Sequence, residues 1–229
     1  MSSPTDDSAR DAETRRSRRE WFRPPTQDGP SGTFQVLTVC TGNICRSPLA
    51  ELLLRTRLAG LDAQVHSAGT RGLASAPMTE EAIRLATLRG VADDDARAHR
   101  SRFLTERHLE SPDLILTMTR DHRRAVAELA PARLRSTFTF REFARLAATV
   151  PDEAIADAAA AAGPDASARV RAAAVVVAAQ RGLTLGPADA DDDDVIDPFR
   201  RSWATYELSG AQLDPAIDQV VRVVRLAIA

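Results

Sequence analysis

The stretch FQVLTVCTGNICRSPLAELLLRTRLAG, Phe34 to Gly60, decides the fold. Its opening run, Phe34 to Val39, is apolar at successive positions, the pattern of a strand covered by helices on both faces. Its closing run places Ser47 at a helix cap position, Pro48 in the first turn and Gly60 at the stop, all standard boundary signals. Between them Cys40, Thr41, Gly42, Asn43, Ile44 and Cys45 form a short loop that ends on Arg46. The unit reads strand, loop, helix.

The same alternation continues along the chain. AQVHSA (63–68) reads as a strand, TEEAIRLATLRG (79–90) as a helix, PDLILTM (112–118) as a strand, RDHRRAVAELA (120–130) as a helix and RSTFTF (135–140) as a short strand. Strands alternating with helices predict an α/β fold: a three-layer sandwich with a central parallel sheet of about four strands flanked by helices. In such sheets a ligand binds beyond the carboxyl ends of the strands, where the Cys40 loop sits. Residues 145–189 turn alanine-rich and are expected to add helices as an insertion in a domain spanning 32–229. A final amphipathic helix carries Ile217, Val220, Val221, Val224 and Ile228 as its apolar stripe. Residues 1–31 are rich in Ser, Pro, Asp and Arg and are expected to form a disordered tail.

Composition narrows the class of protein. All 30 basic residues are arginines, spread along the chain without a cluster, which argues against a nucleic-acid partner. The two cysteines, Cys40 and Cys45, are too few and too close for a secreted disulfide framework, so a reducing cytoplasm is the expected compartment. Neither a signal peptide nor an apolar run long enough for a membrane is legible.

The bare spacing Cys-x5-Arg is uninformative in a chain with this many arginines, and its setting gives it meaning. A loop that leads into a helix N-terminus offers unpaired N–H groups to an anion. Gly42 and Asn43 both tolerate left-handed backbone, which lets successive N–H groups turn inward as a nest for a tetrahedral oxyanion. Cys40 at the base of that nest is expected to be a thiolate nucleophile favoured by the same dipoles and by Arg46, whose fork can grip two oxygens of the guest. Cys45 fits either simple packing in the first helical turn or a reversible disulfide with Cys40. A leaving oxygen must be protonated as it departs, and Asp197 in VIDPFRR is the best candidate acid, with Asp191 to Asp194 nearby to favour its protonated form. That acidic run lacks the glycine and distal glutamate of a calcium loop, so no metal and no cofactor is expected.

These residues resemble the low-molecular-weight protein tyrosine phosphatase family. The resemblance rests on VCTGNICRSPLAE, on SAGT at Ser67 to Thr70, on AHRSRFLT from Ala98, on DLILTM from Asp113 and on DPF at Asp197, in the family's order. It implies Cys40 as nucleophile, Arg46 as phosphate clamp, Asp197 as general acid and then base, and Ser47 as hydrogen-bond partner of the thiolate. Asn43, Ser67 and His99 resemble the network that supports the loop. It further implies a cysteine-dependent phosphatase acting on phosphotyrosine in proteins and on aryl phosphates, with a bacterial tyrosine kinase as a candidate partner. The substrate walls depart from the pattern. Leu73 stands nearest a position where many members carry tryptophan, and Phe199 and Arg200 replace two tyrosines; Ile44, Leu73 and Phe199 could still form an apolar slot for a phenyl ring. Arsenate reductases share this loop but relay electrons through further cysteines that are absent here, and protein arginine phosphatases carry a threonine where this chain has Ile44. A non-catalytic phosphate-binding module is the remaining alternative, disfavoured by the intact Cys40, Arg46 and Asp197.

Overall fold

Strand β1, Phe34–Cys40, is the centre of the molecule, and both of its faces are covered. The computed structural model describes residues 32–71 and 75–229, so the expected tail at 1–31 and Leu73 lie outside the described residues. Strands β2 (Ala63–Gly69), β3 (Leu114–Thr117) and β4 (Thr137–Thr139) complete a four-stranded sheet of order β2-β1-β3-β4, all pairs parallel. The expected three-layer architecture is therefore observed. Because β1 connects to a neighbour on one side and β3 lies on its other side, the order reverses at β1. A crevice at the carboxyl ends of the strands follows from that reversal.

The two faces bury different helices. Phe34, Val36, Leu114, Leu116 and Phe138 point into the larger core, where they meet helices α1 (Arg46–Arg57), α2 (Glu80–Thr87) and the helices of the C-terminal half. Leu37, Val39 and Ile115 point to the other side and pack on Leu104, Leu109 and Val126. Those partners come from the segment after the short helix α3 (Asp93–Ala98), from α4 (Arg107–Glu110) and from α5 (Arg120–Leu129). The alternation along β1 and β3 is apolar in both directions, the physical cause of the unbroken hydrophobic runs in the sequence.

Helices α6 (Phe140–Ala147), α7 (Asp152–Ala161), α8 (Ala166–Ala179) and α9 (Trp203–Ile228) share the larger core. Ile155, Ala159, Val170, Ala173 and Val177 are all buried there, against Ile217, Val220 and Val224 of α9. Alanine lets helices approach closely, so these small residues fill an interface rather than an exposed surface.

The acidic run differs from expectation. The carboxylates of Asp191, Asp193 and Asp194 are held by arginines of the scaffold: Arg145 reaches Asp193 at 2.7 Å, and Arg120 engages both Asp191 and Asp194. Thr139 Oγ1 donates to the Asp193 carbonyl at 2.6 Å, and the Val195 N–H donates to the Met118 carbonyl at 2.8 Å. The run is a strap that pins the chain to the ends of β3 and β4 and delivers Asp197 to the crevice.

One glycine is demanded by contact. A Cβ on Gly69, at the end of β2, would stand 2.6 Å from the Thr41 carbonyl oxygen in the neighbouring loop. Gly69→Ala is expected to destabilise the protein by about 1–3 kcal/mol, the usual cost of overpacking, read as a lowered Tm in a thermal melt.

Candidate active site

The loop after β1 is built around Asn43, which takes the left-handed conformation at φ 55°. Gly42 also stands in the loop, but the left-handed step falls on Asn43 alone. The reason is that Asn43 has specific partners. Its Nδ2 donates to Ser47 Oγ at 2.9 Å and to Ser67 Oγ at 2.7 Å, and its Oδ1 accepts from the Arg102 N–H at 2.8 Å. His99 Nε2 donates to the Asn43 carbonyl at 2.9 Å. Burial above all holds the His99 imidazole below the ordinary histidine range, as befits a neutral ring donating to a carbonyl. Ser67 in turn donates to Glu51, a buried carboxylate that also pairs with Arg55 at 2.6 Å.

With Asn43 fixed, its N–H points back at Cys40 Sγ at 3.2 Å, and Ser47 Oγ stands 3.0 Å from the same sulfur. Helix α1 begins at Arg46 with Cys45 at its cap and no side-chain capping bond. This corrects the expected cap at Ser47: the serine lies inside the first turn and its hydroxyl serves the sulfur instead. The N-terminal N–H groups of α1 face the loop, where the helix dipole favours an anion.

Arg46 is buried beneath the loop. Its Nη1 donates to the Val195 carbonyl at 3.0 Å, and its Nη2 meets Asp197 Oδ2 at 2.8 Å. Its Nε is buried with no hydrogen-bond partner among the described residues. The Nε and Nη2 edge is the pair of donors a guanidinium uses to grip two oxygens at once. A buried unsatisfied donor costs about 1–3 kcal/mol, so this edge is primed for an acceptor. Asp197 is itself half exposed, and its other oxygen accepts from the Phe199 N–H at 3.1 Å in a tight turn ahead of Arg200, which is left-handed at φ 59°.

Two cavities meet at this ion pair. One, of about 340 Å³, is lined by Cys40, Gly42, Ile44, Phe199 and Arg200 among others. The second, of about 670 Å³, is lined by Thr70, Thr119, His122, Arg124 and Glu128 among others. Thr41, Arg46, Arg71 and Asp197 belong to both. Of the expected substrate walls, Ile44 and Phe199 flank the first cavity, and Leu73 lies outside the described residues.

Sequence reading missed several participants. His122 holds Thr41 Oγ1 at 2.8 Å through Nε2 and Thr119 Oγ1 at 2.8 Å through Nδ1, tying the loop to the start of α5. Burial, then the Arg46 charge, pushes its pKa down to about 4. Glu51 was also unread, although its position one helical turn after Ser47 puts it on the same face of α1, which is a legible signal. Thr79 and Tyr206 were missed as well, and they come together only in three dimensions.

Cys45 points away from the loop into that last pair. Its Sγ lies 3.5 Å from Thr79 Oγ1 and 3.7 Å from Tyr206 OH. Burial pushes the Cys45 thiol up to about 11, and both cysteines are free. A thiol with that pKa stays protonated through neutral pH and reacts slowly with alkylating agents. Treatment of the native protein with iodoacetamide at pH 8 should therefore modify Cys40 and leave Cys45 untouched, as mapped by peptide mass spectrometry.

Residues 35–159 match the family model for low molecular weight phosphotyrosine protein phosphatase. Among curated relatives, the low molecular weight protein-tyrosine-phosphatase Etp of Escherichia coli K12 is 41% identical over 108 residues, covering 47% of this chain and 70% of Etp. A protein-arginine-phosphatase of Bacillus subtilis is 34% identical over 112 residues, covering 48% of this chain and 72% of that protein. Among solved structures, the Erwinia amylovora tyrosine phosphatase amsI superposes with a TM-score of 0.57 at 22% identity, over 83% of this chain and 93% of its own. A mutant of Bacillus subtilis YwlE superposes with a TM-score of 0.58 at 25% identity, over 84% and 99%.

Proposed function

For a chain that belongs to the low molecular weight phosphotyrosine protein phosphatase family, we propose hydrolysis of phosphotyrosine in proteins, and of aryl phosphates generally, through a phosphocysteine intermediate. The observation that carries this reading is the convergence of Cys40, Arg46 and Asp197 on one cavity of about 340 Å³. In this scheme the phosphoryl group enters the nest of loop N–H groups and its oxygens take the Nε and Nη2 edge of Arg46. Nη2 thereby exchanges Asp197 for phosphate, and the released carboxylate takes up a proton from water and turns to the ester oxygen.

Cys40 Sγ then attacks phosphorus as the bond to the phenolic oxygen breaks, and Asp197 gives its proton to that oxygen. Asn43 N–H, Ser47 and the α1 dipole stabilise the thiolate before attack and as the leaving group in the second step. Water next attacks the phosphocysteine and gives its proton to Asp197; the sulfur–phosphorus bond breaks, releasing phosphate and restoring the thiolate. Proton transfer of this kind is worth about 10²–10⁴ in rate when the leaving group is poor.

Ile44 and Phe199 support an aryl substrate, since an apolar slot accommodates a phenyl ring without unmet hydrogen bonds. A phosphoarginine guanidinium would find Asp197 as a carboxylate acceptor on that lining but would face the like charges of Arg71 and Arg200 beside it. The larger polar cavity beyond Asp197 suits the polypeptide flanking the phosphorylated residue. A phosphotyrosine protein is thus the proposed partner, a bacterial tyrosine kinase being one candidate. Among the described residues no helix is long and apolar enough to cross a membrane, and we place the reaction in the cytoplasm because both cysteines are free thiols. Residues 145–189, packed into the core, are assigned a structural role.

Two measurements test the proposal. Asp197→Ala should slow hydrolysis of phenyl phosphate about a hundredfold or more while slowing a substrate with a good leaving group, such as p-nitrophenyl phosphate, much less. Equal slowing of both removes Asp197 from the acid role. In a phosphopeptide panel, kcat/KM should be highest for phosphotyrosine; a preference for phosphoarginine would move the assignment to the second activity found among its relatives.

A further inference from the structure

A third cavity, of about 450 Å³, lies away from the catalytic loop, towards the amino-terminal ends of β1 and β3. Its lining includes His66 of β2, Arg102, Arg107 and His108, together with Gln35 and Ser111. Among the described residues no carboxylate lines it. Asp113, which follows Pro112 at its rim, is turned elsewhere: it accepts from the Gln35 N–H at 2.8 Å, from Ser167 Oγ at 2.5 Å and from Arg171 at 2.7 Å. Among the described residues most arginines are tied to a carboxylate or a carbonyl, as Arg55, Arg145 and Arg181 are, whereas the guanidinium groups of Arg102 and Arg107 have no such partner there.

The charge of Arg102 acts on both imidazoles. Burial and then the charges of Arg102 and Arg107 hold His108 below the ordinary histidine range. Burial also lowers His66, with Arg102, Arg55 and His108 pushing the same way and Glu51 opposing them. Two guanidinium charges beside two neutral imidazoles, around a concave volume with no compensating acid among its described lining residues, raise the local potential for an anion. The groups come from three separate elements, and the cavity is larger than one phosphate needs, so a ligand with two or more anionic groups fits better than a single small ion.

We propose that this cavity is a binding site for a polyanionic small molecule of the phosphate class, such as a polyphosphate or a multiply phosphorylated metabolite, held by Arg102, Arg107, His66 and His108. The site is separate from the catalytic one and does not depend on the proposed activity. It is nevertheless connected to it, because the Arg102 N–H donates to Asn43 Oδ1 and the Arg102 carbonyl accepts from the Gly69 N–H at 2.8 Å.

Calorimetric titration with tripolyphosphate at low salt tests the site. Arg46→Ala removes the catalytic loop's own clamp; that variant should still bind one equivalent, and adding Arg102→Ala with Arg107→Ala should weaken the binding about tenfold or more. A control that removes equal charge elsewhere, at the exposed Arg135→Ala with Arg201→Ala, should leave it nearly unchanged. In the Arg46-intact background, Arg102→Ala with Arg107→Ala should lose one class of site and keep the other, which keeps the test valid if Arg46→Ala folds poorly. No binding in either background overturns the proposal, as does equal weakening by the Arg135 and Arg201 control, which would mean general charge attraction only.

Discussion

Everything at the catalytic end of the sheet depends on Asn43 being held in a backbone conformation that non-glycine residues seldom adopt. A left-handed residue stores roughly 1–3 kcal/mol when the surroundings force it. Here Ser47, Ser67, His99 and the Arg102 N–H all bond to Asn43, and together they offset that strain. The result is directional: Asn43 N–H and Ser47 Oγ both address Cys40 Sγ. Glycine could adopt the turn but would contribute none of the side-chain bonds that fix it. The buried Glu51 beneath Ser67 extends the same network to α1, so the loop is braced from the helix it feeds, from β2, and from the chain after α3.

A second constraint brings the far end of the chain to this loop. Asp197 lies well over a hundred residues from Cys40, and the strap before it is fastened by Arg120, Arg145 and Thr139 before Val195 joins the edge of β3. Arg46 completes the fastening by donating to the Val195 carbonyl. One guanidinium thus positions the acid-bearing segment with Nη1 and offers its remaining edge to a phosphoryl group. The carboxylate end of the ion pair is half exposed, so Asp197 can turn into solvent while an incoming phosphoryl group takes its place on the buried Arg46.

Much of this was legible in the residues themselves. The two-faced apolar run of Phe34 to Val39, the cysteine loop and the helix after it fixed the strand-loop-helix seat, and alternation along the chain predicted the parallel sheet. Cys40, Asn43, Arg46, Ser47, Ser67, His99 and Asp197, chosen from sequence, are brought together by the structure. What was not legible depends on distant contacts. The Asp191 to Asp194 run read as a field acting on Asp197 because the sequence does not show that arginines far along the chain neutralise it. The cap was placed at Ser47 because local rules cannot see that a cysteine sulfur competes for the hydroxyl. His122, Thr79 and Tyr206 reach the loop across 81, 34 and 161 residues, and no local pattern encodes such meetings.

The central claim is that this loop makes Cys40 the site of a covalent phosphoryl transfer. The most direct measurement is to mix the Asp197→Ala protein with p-nitrophenyl phosphate, whose leaving group needs no proton, quench within the first turnover and locate the phosphoryl group by mass spectrometry. The account predicts a single phosphoryl group on Cys40 that accumulates because the first step proceeds without the acid whereas the second has lost its base. A phosphoryl group on Ser47 or Cys45, or full turnover with Cys40 never modified, would contradict it.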